Sequence, residues 1–135
     1  EVVAAQGGDP RALEGTSRMP TARRTEVVTA ECRGYVQRID AEDVGVTAML
    51  LGAGRTTVDQ AIDHGAGVVL HHKVGDAVEP GAQLATLYFN DDSKRGEARA
   101  LLAGAFTIGD APPGKQELIN RVISVKRSVH GEVDR

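Results

Sequence analysis

At 135 residues the chain has room for one domain with its own core and not for two of ordinary size. Apolar residues make up 41% and charged residues 26%, and a net charge of −3 offers neither nucleic acid nor anionic lipid a basic face. Aromatic residues are 3% of the chain and Trp is missing, so the core must be aliphatic, with few rings to stack on a base or a sugar. Cys32 is the single cysteine, which rules out an internal disulfide and a thiolate zinc site and fits a reducing, cytoplasmic compartment. No apolar run reaches the roughly 18–20 residues of a membrane span, and no basic start leads into an apolar block as in a signal peptide.

Residues 1–6 read as the end of a helix, stopped by Gly7-Gly8 and Asp9-Pro10. With no initiator Met and no start signal ahead of it, this opening predicts a piece of a longer chain. Residues 7–24 are polar, broken by Gly, Pro and Ser, and predict a linker. A domain is expected over 25–125, followed by a polar tail over 126–135. It begins with two short β-prone stretches, 25–29 and 34–39. Asp40 is a good N-cap, and Asp43 adds negative charge to the first turn of a helix that Gly52 should end. Val44, Val46, Ala48, Met49, Leu50 and Leu51 make that helix apolar on nearly all sides, which predicts burial. Gly45 inside it costs about 1 kcal/mol relative to Ala, so a close backbone neighbour is expected there.

Residues 65–70 form the next predicted strand, and 83–89 another. Between them Gly75-Asp76 and Pro80-Gly81 are turn dipeptides that bracket Val78, the one residue that must face inward. Asp92 or Ser93 should cap a second helix, with Ala98, Leu101, Leu102 and Ala105 on its buried stripe and Lys94, Arg95, Glu97 and Arg99 on its wet face. A short strand at 106–108 and a β or helical piece at 118–125 follow. The expected fold class is α+β: about one layer of sheet with two helices, carrying an α/β-hammerhead with barrel-sandwich-like β hairpins.

Residues 73–84 resemble the turn-rich hammerhead of biotinyl and lipoyl carrier domains. Yet Lys73, Lys94, Lys115 and Lys126 all lack the flanks that carriers place around their modified lysine, so the motif reads as structural. Gly52-Ala53-Gly54-Arg55 follows a helix instead of opening one, the wrong polarity for a phosphate loop. His64, His71 and His72 raise a metal site, but adjacent strand residues point to opposite faces, and His71 and His72 cannot share an ion without distortion. His130 lies in the tail. Ser17, Ser93, Ser124 and Ser128 sit in linker, cap and tail contexts, and Cys32 has only Arg33 beside it to lower its pKa. Asp91-Asp92 reads as a helix start. No catalytic, cofactor-binding or metal-ligating residue is therefore expected in this chain, and no cofactor.

Taken in order, six blocks resemble one family. They are Gly34-Tyr35-Val36, Ile39-Asp40-Ala41, Val44-Gly45, Leu51-Gly52-Ala53-Gly54-Arg55, Ile62-Asp63-His64-Gly65-Ala66-Gly67 and Lys73-Val74-Gly75-Asp76 through Gly81. With Gln6-Gly7-Gly8-Asp9-Pro10 ahead of them, they are similar to the closing domain of thymidine and pyrimidine-nucleoside phosphorylases. The resemblance implies an enzyme that uses inorganic phosphate to split a pyrimidine nucleoside into free base and ribose or deoxyribose 1-phosphate. It also implies upstream α/β and helical domains as partners, a homodimer, and no role for nucleic acid or membrane. The family's glycine-rich phosphate loop and its His, Arg, Ser and Lys group at the base match no position here. The other reading of the residues is a barrel-sandwich binding or interaction module.

Overall fold

The computed structural model describes residues 1–123 except Thr16, Arg18, Thr56, Gln116, Leu118 and Asn120. Within the piece predicted over 118–125, Ile119 and residues 121–123 are described and carry no regular structure. The rest of that piece, and the tail over 126–135, lie outside the described residues.

Helix α1 (Val2–Ala5) ends at Gly7. A 3-10 turn then covers Pro10–Glu14, with Asp9 as its cap, inside the stretch expected to be plain linker. Strands β1 (Arg24–Thr29) and β2 (Gly34–Ile39) follow, then helix α2 (Ala41–Ala48). Strands β3 (Gly67–Leu70), β4 (Ala77–Val78) and β5 (Gln83–Phe89) come next, and helix α3 (Arg95–Ala105) leads into β6 (Phe106–Gly109).

The strands form two sheets and not one layer. The first has the order β1-β5-β3 and the second β4-β2-β6, all pairs antiparallel. The chain changes sheet at every connection between strands, and that information lies in partners far apart in sequence. Two of these switches, β3 to β4 and β4 to β5, are the two predicted turns, where Gly75 (φ 99°) and Gly81 (φ 84°) take the left-handed conformation that favours glycine. The Gly75 N–H donates to Val36 O at 2.7 Å and the Val36 N–H to Asp76 O at 2.9 Å, fastening the first turn to β2. The second turn is tied to the β1–β2 connection by Gly81 N to Ala30 O and Ala30 N to Ala82 O, each 2.8 Å. Between them Val78 is 3% exposed, inward as predicted.

The core is aliphatic. Val28, Val36, Leu51, Leu84, Leu87 and Leu102 are buried together, with Phe89 and Phe106 the aromatic members. Each such side chain contributes about 1.5–3 kcal/mol when fully removed from water. Helix α3 buries Ala98, Leu102 and Ala105 as its period predicted, while Leu101, expected on the same stripe, is half-buried. Ala98 and Leu102 join Val28 and Leu87 in one core, and α2 with the turn after it lies against β3. Glu26 of β1 reaches α3 as an ion-pair partner of two arginines, with Oε1 3.0 Å from Arg99 Nε and Oε2 3.5 Å from Arg95 Nε.

Four local expectations change. Helix α2 is half-buried and not enclosed; Thr47 is its one buried residue, its hydroxyl donating to Asp43 O at 2.7 Å. Gly45 has no close backbone neighbour: a Cβ there would meet nothing within 4 Å. The helix stop does fall at Gly52 (φ 108°), but through a widened π-type turn over Met49–Ala53. Finally, neither Asp92 nor Ser93 caps α3. Asp92 pairs with Arg24, Asp91 accepts from the Ser93 N–H at 2.9 Å, and Lys94 occupies the cap position without a side-chain bond. An acidic run at a helix start has several donors in reach, and here the strand arginine competes successfully with the backbone.

Candidate functional site

The chemistry-bearing side chains gather in two places. The first lies where β3 runs into the Gly75 turn. Residues 67, 69 and 71 share one side of β3, and His71 Nε2 lies 2.6 Å from Thr86 Oγ1 on the neighbouring β5. His72, on the other side, places Nδ1 3.4 Å from Asp76 Oδ2. The same carboxylate oxygen accepts the Lys73 N–H at 3.0 Å. That backbone bond, then the His72 ring and the positive charge of Lys73, hold the Asp76 carboxyl below its ordinary pKa. A hollow of about 610 Å³ opens beside them, walled by Ile39, Leu70 and Val74.

Chemically this corner is a turn fastening. Thr86 is 7% exposed, and its hydroxyl is engaged with the His71 ring. Asp76 is engaged in closing its own turn, and His72 leans on it. His64 stands apart on an exposed loop. Among the described residues, no three His, Cys, Asp or Glu side chains come together as a metal site.

The second place is the loop over 52–66. Asp63 is its hub: its N–H donates to Gly52 O at 2.8 Å, Oδ1 accepts from the Gly65 N–H at 2.9 Å, and Oδ2 accepts from Asn90 Nδ2 at 2.7 Å. The Asn90 bond first, and the Gly65 N–H next, hold the Asp63 carboxyl below its ordinary pKa. Asn90 also accepts the Arg23 N–H through Oδ1 at 2.9 Å, so one amide joins the loop to the entry of β1. Gly65 completes the clasp, since a Cβ there would stand 2.8 Å from Thr21 C and 3.1 Å from Ala22 N. The Gly65 N–H is bonded to Asp63, and β3, expected over 65–70, starts at Gly67. Sequence reasoning missed Asn90, because Asn-Asp-Asp before a helix reads as a capping run and nothing local points to a partner 27 residues earlier.

The other candidates remain apart. Cys32 is exposed, and its neighbour Arg33 turns to Glu79, Nε to Oε1 3.2 Å. Ser124, Ser128, Lys126 and His130 lie outside the described residues. Ser17 is exposed near the 3-10 turn and Lys115 is exposed beyond β6.

Fold and side chains together define a small α+β domain whose polar groups are spent on its own turns and loops. A family model described as the pyrimidine nucleoside phosphorylase C-terminal domain matches residues 35–109, from β2 to the end of β6. The chain belongs to that family. It is similar, at 43% identity over 118 residues, to a thymidine phosphorylase of Mycobacterium tuberculosis (strain CDC 1551 / Oshkosh). A pyrimidine-nucleoside phosphorylase of Geobacillus stearothermophilus is 45% identical over 97 residues, and one of Bacillus subtilis (strain 168) 46% over 88. These alignments take in 87%, 69% and 65% of this chain but 26%, 22% and 20% of the relatives, so the chain spans about a quarter of their length or less. All three relatives are phosphorylases and none is a carrier protein.

Proposed function

We propose that the chain closes a pyrimidine-nucleoside phosphorylase whose reacting groups lie outside these 135 residues. The observation that carries this reading is the family match over β2 to β6, joined to side chains that are engaged in holding turns. In the proposed reaction, phosphate attacks the anomeric carbon of the nucleoside as the glycosidic bond breaks. The bonding pair leaves with the pyrimidine, and the sugar keeps the phosphate as its 1-phosphate. The transition state resembles an oxocarbenium ion, so the site must hold a phosphate dianion and stabilise charge on the departing base. No residue described here is assigned to either task.

The domain's own part is that of a rigid β cap on the enzyme's α/β domain, moving with it when the cleft closes over substrate. Its hammerhead is the stretch from Lys73 to Leu84, a reading supported by the paired glycine turns and the repeated change of sheet. The division into a helix end (1–6), a linker (7–24), the domain (25–125) and a tail (126–135) belongs to the same proposal. So do a homodimer built mainly through a helical domain, a cytoplasmic setting and a role in nucleoside salvage. Among the described residues no helix is long and apolar enough to cross a membrane. The test is base release: a full-length protein carrying this domain should free thymine or uracil from its nucleoside only when phosphate is present. Release without phosphate would contradict the reading.

A further inference from the structure

Among the described residues the first sheet is covered on one face, by α3, α2 and the turn after α2. On the other, the register sets Thr25, Tyr88 and Gly67 in one row and Val27, Thr86 and Val69 in the next. Val27 is 36% exposed and Val69 46%, Tyr88 is half-buried, and no charged residue stands in either row. A solvated antiparallel face ordinarily alternates polar residues outward. Here the outward set is Val, Val and Tyr among threonines, in a chain that is 26% charged. The wet side of α3, with Lys94, Arg95, Glu97 and Arg99, shows what a solvated face of this same domain looks like.

We propose that this outer face is where the preceding, catalytic part of the phosphorylase seats itself, an inference that rests on the functional reading above. Two observations select that occupant. First, about three quarters of each relative lies outside the matched region, and the matched family model describes a C-terminal domain. Second, the incoming chain reaches the domain along this face. Thr21 and Ala22 lie against Gly65, and the three border a hollow of about 350 Å³ floored by Gly67, Val69 and Tyr88; the next residue, Arg23, is held through its N–H by Asn90 at 2.9 Å. Polypeptide that enters at the edge of an uncharged sheet face is the nearest material to cover it. The contact would be apolar, centred on Val27, Val69 and Tyr88, with His71 at its rim over Thr86.

The experiment uses the full-length protein carrying Val69→Cys, a small change on an exposed position. Maleimide labelling at residue 69 is followed by peptide mass in native and in urea-unfolded protein. Native protein should label slower by on the order of a hundredfold, as for a side chain freed only by opening of an interface. A difference of only a few-fold, as expected of a side chain that is 46% exposed, would overturn the proposal. Protection that disappears on dilution would overturn it too, in favour of a second copy of the chain. Phosphate-dependent base release is measured on the same sample. An active enzyme without protection removes the docking proposal alone, whereas protection in an inactive protein removes the functional reading and leaves the docked face.

Discussion

The two faces of the first sheet are made from the same three strands and differ in nearly everything else. The inner face puts Val28, Ala85, Leu87 and Phe89 into one core with Leu51 and with Ala98 and Leu102 of α3, and removes them from water. The outer face leaves Val27 and Val69 in reach of solvent, with no helix over them among the described residues. The difference separates what makes the domain fold from what it presents to the rest of a larger protein. Alternation along one strand serves both: in β1, Val28 supports the fold while its neighbour Val27 is free for another surface.

The largest effect should come from breaking this contrast on its inner side. Leu87→Ala in the 135-residue chain should cost about 2–5 kcal/mol in urea unfolding, the range for truncating a fully buried leucine. Val69→Ala in the same chain should cost less than about 1 kcal/mol. Similar losses at both positions would mean that the outer face is also part of the core.

Next in size is the clasp that leads the chain onto the sheet. Gly65→Ala sets a methyl 2.8 Å from the Thr21 carbonyl carbon, a backbone neighbour that yields only by moving. A loss of about 1–3 kcal/mol is expected, the usual cost of an overpacked site. Gly45→Ala should do the reverse. The site is helical and its Cβ position open, so unfolding free energy should rise by about 0.5–1 kcal/mol. A loss there would restore the close neighbour that the sequence suggested.

The smallest effect is the pH dependence of the same clasp. Asp63 has its folded pKa lowered by Asn90 and then by the Gly65 N–H, so its contribution is fully present above the ordinary carboxylate value of 3.8. It is lost as pH falls through the lower, folded value. The stability difference between the natural chain and Asp63→Asn should therefore be constant near neutrality and close in acid below that value. A difference that grows on acidification would assign Asp63 another partner.

Much of this organisation was legible residue by residue. Asp40 announced α2, and its carboxylate does accept from the Glu42 and Asp43 N–H groups at 3.1 and 3.2 Å. The helical period of Ala98, Leu101, Leu102 and Ala105 marked the buried stripe of α3, with Leu101 at its half-buried edge, and the bracketing glycines marked Val78 as inward. These are local effects, carried by spacings of two to five residues. What was not legible is pairing. Two sheets and one layer can hold the same strands, and only partners such as Val36 with Ile108 or Val28 with Ala85 decide between them. The Asp63–Asn90 clasp and the capture of Asp92 by Arg24 were hidden for the same reason, since each joins side chains that are distant in the chain. The family resemblance came from ordered blocks, and several of those blocks turn out to be the fastened turns at Gly52, Gly65, Gly75 and Gly81.

The central proposal is that this domain belongs to a phosphorolytic enzyme whose reacting groups lie outside it. It is tested most directly by assaying base release from thymidine and uridine, with phosphate, by the full-length protein and by the 135-residue chain side by side. The account predicts free base and sugar 1-phosphate from the full-length protein and none from the shorter chain. Base released by the shorter chain, or a full-length protein that never yields sugar 1-phosphate, would contradict it.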